Sequence, residues 1–301
     1  MDIAYASGSL SVKVAELKKV ESQLANLGNN TNEEVVTFLN HLQLAGTVEI
    51  SNFATLINQS EKVLFNQLVA ILSDDYYYLL DLVYADEIIT FLNLKLNDVK
   101  FEDKFKEFDY LHLPLAKLLE GNLIGMQDHY AAIMNATRSE FKTKGYKQEA
   151  ILSKVYYQFL TDKVGDNLYL DSKITMINLR TLYRAKKLDL TIEEFELELI
   201  GSYIEKEKFV SFYRLDNKQI ISSLKDRVDH AASATYELIT SNYVNIDKYL
   251  DAYLAEKVKN LVFSIEFSEL FIIYAFQFRQ LIKTLKKIYN RVEEYETNRN
   301  N

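Results

Sequence analysis

The sequence predicts an all-α protein that is built from three similar helical-bundle units. Glycine and proline are scarce, with 8 and 1 in 301 residues, so strands joined by tight hairpins are disfavoured and long helices are favoured. Apolar residues recur with the helical period, as at Leu281, Leu285, Ile288 and Val292. A helical phrase also occurs more than once along the chain, which indicates duplicated units.

Two capping boxes mark helix starts. Thr31 with Glu34, and Thr191 with Glu194, each place a hydroxyl and a carboxylate where they can satisfy exposed N–H groups of a first turn. The glycines and the proline fall mostly between apolar-periodic runs, where they end helices or form connections. These positions are Gly28, Gly46, Pro114, Gly121, Gly145, Gly165 and Gly201.

The most apolar segment, Leu261 to Phe278, approaches the length of a membrane span. It contains Glu266 and Glu269, and each charge costs about 2.5 kcal/mol or more at the centre of a bilayer. The N-terminus has an early acidic residue and no apolar core of signal-peptide length. We therefore predict a soluble protein with one deeply buried helix.

Composition restricts the classes of partner and chemistry. The formal net charge of −8 disfavours nucleic acid as a partner, because the protein as a whole repels phosphate. The absence of cysteine excludes disulfides, thiolate metal sites and cysteine nucleophiles, and fits a cytoplasmic location. The sequence has no phosphate-binding G-x-x-x-x-G-K-[ST] loop, and no histidine has a ligand partner at i+4. We predict no catalytic residue, no cofactor and no metal site.

The repeated phrase defines the predicted domain organisation. "ITFLNLK", Ile89–Lys95, returns 85 residues later as "ITMINLR", Ile174–Arg180. A weaker third copy, "LIKTLKKIYNR", has Thr284 at the asparagine position and Lys286 at the position of the first copy's lysine. Three copies predict three helical units arranged around a pseudo-axis. The units are predicted at about residues 1–103, 104–206 and 207–301.

The polar residues of the copies have two interpretations. Asparagine is a poor residue for a helix interior, so Asn93 and Asn178 either cap a neighbouring segment inside each unit or help to form a surface for a partner. The basic residues either form the solvated face of an amphipathic helix or contact acidic groups on a partner. The basic candidates are Lys95, Arg180, Arg184, Lys186, Lys286 and Lys287.

Residues Ile174–Lys186, "ITMINLRTLYRAK", resemble the phrase D-x-x-N-I-K-T-L-L-R-A-K in the C subunit of archaeal and bacterial A/V-type rotary ATPases. Its eukaryotic counterpart is the d subunit of the vacuolar ATPase. "FLNLK" in the first copy is similar to an earlier D-x-x-N-L-K phrase of the family, and "VKVAELKKVESQL" resembles its first helix. The region from Phe263 is similar to the family's C-terminal part, so the similar phrases span nearly the whole chain in the family's order.

The sequence departs from the family pattern at acidic positions. Thr90, Thr175 and Leu281 stand where the family's phrases carry an acid three residues before the asparagine. Near the C-terminus, Ser264 and Phe267 replace a glycine and a proline of the family. These changes indicate a divergent bacterial member.

The resemblance implies a funnel-shaped, all-helical subunit with pseudo-threefold symmetry. Such a subunit sits on the proteolipid rotor ring, receives the central stalk in its cavity and transmits torque without chemistry of its own. It is cytoplasmic and peripheral, and it contacts the membrane only through the ring. Two other functions stay open on the sequence. One is a stand-alone helical adaptor of the same fold, and the other is a helical enzyme, for which no residue cluster is nominated.

Overall fold

A computed structural model describes residues 3–26, 53–72, 76–97, 128–144, 147–242, 245–261 and 266–299. These ranges are 88% helical and contain thirteen α-helices and no strand, which confirms the predicted all-α class. In chain order the helices are α1 (Ile3–Asn26), α2 (Phe53–Ala70), α3 (Tyr78–Val83), α4 (Ala85–Leu96), α5 (Asp128–Lys144), α6 (Gln148–Val164), α7 (Leu168–Lys187), α8 (Ile192–Glu198), α9 (Tyr203–Tyr213), α10 (Asn217–Arg227), α11 (His230–Ser241), α12 (Ile246–Asn260) and α13 (Phe267–Arg299).

A predicted capping box starts α8. Thr191 Oγ1 accepts a hydrogen bond from the Glu194 N–H at 3.2 Å, and Glu194 Oε2 accepts one from the Thr191 N–H at 2.8 Å. This prediction is confirmed. A second capping box, which the sequence prediction missed, starts α10. The predicted box of Thr31 and Glu34 lies outside the described residues.

Replacing Thr191 by alanine is expected to lower the free energy of unfolding by about 1 kcal/mol, because the lost hydroxyl leaves a first-turn N–H group unsatisfied. Urea unfolding followed by circular dichroism measures the loss. Thr143→Ala is a matched control, since the exposed Thr143 hydroxyl donates only to the carbonyl of Ser139 in its own helix. Its effect should stay within about 0.5 kcal/mol. Equal losses in the two variants would contradict the cap.

The chain divides into two compact units. One unit contains α1, α2, α3 and α13, and the other contains α4 to α12. The repeated phrase lies on α4 and α7 in the second unit and on α13 in the first. The division into units at 1–103, 104–206 and 207–301, and their funnel arrangement, stay predictions.

In the first unit, α1, α2 and α3 pack against the long helix α13. The residues of its apolar first half, Leu270–Ala275 and Phe278, are each 5% exposed or less. Arg279, one residue further on, donates to the carbonyl of Val83 at the end of α3 at 2.9 Å. The prediction of a deeply buried helix is therefore confirmed for this segment. Within the described ranges, no helix combines the length and apolar composition that crossing a bilayer requires.

In the second unit, α7 occupies the centre. It contacts α6, α8, α9, α11 and α12, and 13 of its 20 residues are buried. The pairs α5 with α6 and α10 with α11 pack side by side in the same unit. The helix that carries the second copy of the repeated phrase is thus also the core helix of its unit.

Candidate functional site

The candidate site is built on α7, whose ends are specified by its sequence. Asn167 caps the first turn by accepting from two backbone N–H groups, at 3.0 and 3.1 Å. Asp171 lies in the first turn, and Arg184, Lys186 and Lys187 lie in the last, so the charges complement the helix dipole at both ends. The helix presents a buried inner face to its unit and an exposed outer face.

Asn178, on the inner face, joins α7 to the connection between α8 and α9. The side chain is fully buried, its Nδ2 donates to the Ile200 carbonyl at 2.8 Å, and its Oδ1 accepts from the Ile200 N–H at 3.0 Å. The next residue, Gly201, has a φ of 104°, and a Cβ there would lie 3.2 Å from Ile174 Cγ2. The amide therefore serves a neighbouring segment inside the unit, in agreement with the first of its two interpretations.

The other copies of the phrase do not repeat this contact. Asn93, on α4, is half-buried, and its Oδ1 accepts from Asn97 Nδ2 on the same helix at 3.1 Å. Thr284, on α13, is exposed, and its hydroxyl donates to the carbonyl of Gln280 at 3.0 Å. The phrase is helical in all three places, but among the described residues only the second copy uses this position to hold another segment.

Lys186 makes a second connection from α7, to the C-terminal end of α9. Its Nζ donates to the carbonyl of Tyr213 at 3.1 Å and to that of Leu215 at 2.6 Å. Carbonyls at a helix C-terminus lack partners within the helix and carry partial negative charge. The ammonium group also lies 5.5 Å from the centre of the Tyr213 ring. Lys186 thus stabilises a helix end rather than belonging to a solvated face.

A charged cluster joins α7 to α4 and α6. Lys173 Nζ lies 3.0 Å from Asp86 Oδ2, and the Tyr157 hydroxyl donates to Asp86 Oδ1 at 3.4 Å. The side chain of Lys173 is 4% exposed, whereas that of Asp86 is 68% exposed. The buried ammonium is therefore neutralised by a carboxylate that water also reaches.

The protonation states of this cluster are fixed at neutral pH. Burial by itself lowers the pKa of Lys173, but the charge of Asp86, with Tyr157 and Tyr169, outweighs it and holds the pKa above the ordinary value of 10.5. Burial raises the pKa of both tyrosines above their ordinary value of 10.0. The lysine stays charged and the tyrosines stay neutral, so the cluster is a structural ion pair and not an acid–base pair.

The outer face of α7 carries three basic residues, Arg180, Arg184 and Lys187, which we call the basic stripe. Their spacings of four and three place them on one side of the helix. Arg180 Nη2 forms an ion pair with Asp247 of α12 at 2.7 Å. Arg184 and Lys187 are exposed, and the neighbouring Leu188 is 61% exposed. The stripe therefore combines cations with an apolar side chain, a composition suited to a protein contact.

The remaining candidates are dispersed. Lys95 is half-buried in the last turn of α4. Lys287 is exposed on α13, and Lys286 lies on that helix with its side chain outside the described residues. The structure thus brings only part of the predicted set onto one helix. That part consists of Asn178, Arg180, Arg184 and Lys186 on α7.

Two of the three positions at which the similar rotary ATPase phrases carry an acid have surroundings suited to neutral side chains. Thr175 is 8% exposed and lies beside the hydroxyl of Tyr253, and Leu281 is 3% exposed in the first unit. A carboxylate at either position would be desolvated. Thr90 is exposed, and its hydroxyl donates to the Asp86 carbonyl at 2.8 Å. Two of the three departures are therefore consistent with the packing of this chain.

The contacts of α7 described above are hydrogen bonds and ion pairs that join it to neighbouring segments of its unit. Among the described residues, no group of three or more histidine, aspartate and glutamate side chains could hold a metal ion. No family model matches the chain, and no curated protein is significantly similar to it. What the site does must therefore be inferred from its residues and contacts.

Sequence reasoning missed the segments that α7 holds. Ile200 is 22 residues from Asn178, and the carbonyls of Tyr213 and Leu215 are 27 and 29 residues from Lys186. Because nearly every residue has the same backbone N–H and carbonyl groups, a sequence does not indicate which of them will bind a distant side chain. These contacts therefore had no local signal. The nearest signal was Gly201, which predicted a connection next to the segment that Asn178 binds.

Proposed function

We propose that this chain is the non-catalytic subunit that couples the central stalk of an A/V-type rotary ATPase to its proteolipid ring, on the cytoplasmic face of the membrane. The observation that carries the proposal is how the family-like phrase is used on α7. Its inner residues fix the helix within the unit, and its outer residues Arg180 and Arg184 belong to the basic stripe.

A protein that transmits torque must resist deformation. Lys173 connects α7 to α4, Asn178 connects it to the segment before α9, and Lys186 connects it to the end of α9. Close-packed helices with such connections have low compressibility and transmit strain. These contacts support a mechanical role in which the chain carries force and its partners carry the chemistry.

The basic stripe supports a contact with acidic groups of the stalk or the ring. The chain as a whole has a net charge of −8, so the stripe is positive against a negative background. Matched charges steer docking and fix its register more than they add affinity. Membrane contact in this proposal is indirect, through the ring, and neither cofactor nor nucleic acid is required.

Reversing the charge of the stripe is expected to weaken binding to at least one rotary partner. The purified chain and the Arg184→Glu/Lys187→Glu variant are titrated with a detergent-solubilised proteolipid ring and, separately, with a central-stalk complex. We expect the Kd of one partner to rise about tenfold or more at low salt. The difference should shrink as salt increases, because exposed charges are then screened.

The matched control reverses two exposed charges elsewhere in the unit, Arg138→Glu/Lys142→Glu on α5. It changes the net charge by the same amount and should leave the affinity within about twofold of the parent. Equal loss in both double variants would attribute the effect to net charge and contradict a specific role of the stripe. Binding of the parent chain to neither partner would contradict the coupling function and leave the adaptor.

A further inference from the structure

A cleft of about 430 Å³ lies between α9 and α10 in the second unit. Ile204, Glu207 and Ser211 line it from one face of α9, at spacings of three and four. Arg214, just beyond α9, and Arg227, the last residue of α10, supply guanidinium groups. None of these residues belongs to the basic stripe or to the repeated phrase.

Arg227 is exposed and has two contacts within the unit. Its Nη1 donates to Ser211 Oγ at 2.9 Å, and its guanidinium group lies 5.4 Å from the centre of the buried Phe212 ring. Its other N–H groups have no acceptor among the described residues. Because a guanidinium group is a planar fork of donors, it loses less entropy for each hydrogen bond that it forms with a carboxylate than an ammonium group does.

The cleft has an excess of cations. Arg214 is exposed and forms no ion pair within the described part of the chain. Lys208 is neutralised by Glu205, at 2.7 Å. Among the residues that line the cleft, one has a carboxylate, Glu207. The two guanidinium groups therefore exceed the acidic charge of the cleft wall by one.

The edge of the cleft is apolar. Ile204 is 73% exposed, and among the large hydrophobic residues whose side chains the structure describes only Tyr5 is more exposed. One exposed isoleucine is ordinary, but a concavity lined by an exposed isoleucine and two arginines has the composition of a protein-recognition site, where arginine and apolar anchors are enriched.

We propose that this cleft binds an acidic protein segment that places a large apolar side chain against Ile204 and carboxylates against Arg214 and Arg227. A concavity suits side chains better than the flat surface of an anionic membrane. The net charge of −8, with Glu207 in the wall, also opposes such a membrane. The inference rests on the proposed function in that the segment belongs to the central stalk or the ring.

The test combines a cross-link with a charge reversal. A photoreactive benzoylphenylalanine replaces Ile204 in the full chain, which is mixed separately with the central-stalk complex and with the ring, irradiated and analysed by mass spectrometry. We expect a cross-link to a segment of one partner that has two or more Asp or Glu residues within about three helical turns of the attachment point, because Ile204 and Arg214 lie at opposite ends of α9. Arg214→Glu should raise the Kd for that partner about tenfold, and Arg138→Glu on α5 should not.

The outcomes separate this inference from the proposed function. If a partner binds but no cross-link forms at position 204 and Arg214→Glu binds normally, the inference is overturned and the coupling function stands. A cross-link to a segment without acidic residues also overturns it. Recruitment to phosphatidylserine vesicles that Arg214→Glu abolishes would assign the cleft to lipid and overturn it as well. If the parent chain binds neither partner, the coupling function fails and this inference fails with it.

Discussion

Replacing Asn178 by alanine is expected to lower the free energy of unfolding by about 2–5 kcal/mol. The substitution removes both partners of the Ile200 backbone, whose N–H and carbonyl are buried at a residue that is 2% exposed. Each buried polar group left without a partner costs about 1–3 kcal/mol. Urea unfolding measures the global effect. Hydrogen exchange of peptides covering residues 199–202 measures the local one, which should appear as faster exchange of the Ile200 amide.

Asn93→Ala is the natural control, because Asn93 occupies the same position in the first copy of the phrase. Its side chain accepts one exposed hydrogen bond from Asn97, so we expect a loss of no more than about 1 kcal/mol. Equal losses at the two positions would show that the asparagines have equivalent roles and would contradict the account of Asn178. An unchanged exchange rate at Ile200 in Asn178→Ala would contradict it directly.

Removing the carboxylate of Asp86 is expected to have the second large effect. Asp86→Ala leaves the ammonium of Lys173, 4% exposed, without its ion-pair partner. Breaking a buried pair in this way costs about 3–5 kcal/mol, and we expect about 2–4 kcal/mol here because the Asp86 carboxylate is itself well solvated. The double variant Asp86→Ala/Lys173→Met should recover most of the loss, since it removes the buried charge. Urea unfolding of the parent, Asp86→Ala, Lys173→Met and the double variant completes the cycle.

The free energies of unfolding in this cycle are expected to change with pH in a direction that the pKa of Lys173 determines. In the folded parent the pKa of Lys173 lies above its ordinary value of 10.5. The stability that the ion pair contributes is therefore fully present below pH 10.5. It is lost only as the pH rises through the higher pKa of the folded state. In Asp86→Ala, burial without the carboxylate lowers the folded pKa. The stability of that variant should therefore rise between about pH 7 and pH 10 relative to the double variant. A difference that stays constant over this range would contradict a buried charge at Lys173.

The fold class follows from local chemistry, which a sequence displays directly. Scarce glycine and proline, the helical period and the box of Thr191 with Glu194 all act within a few residues of the chain, and each predicted what the described residues show. The burial of Leu270–Ala275 could also be predicted, because a long apolar helix that contains acids has to be covered by protein.

The site was predicted only in part, because its contacts are tertiary. The phrase on α7 was recognised, but the sequence could not separate Lys186, which binds carbonyls of α9, from Arg184, which is exposed. Both are cations in the last turn of the same helix, and only packing distinguishes them. The cleft beside Arg214 and Arg227 depends on the meeting of α9 and α10, and no motif marks it.

The coupling function is tested most directly by assembly. The purified chain is mixed with the solubilised proteolipid ring and the central-stalk complex together, and the products are resolved by native mass spectrometry. The account predicts a complex in which one copy of this chain joins one ring to one stalk, and no complex of ring with stalk when the chain is omitted. Binding to neither partner, by a chain that is folded and helical, would contradict the account.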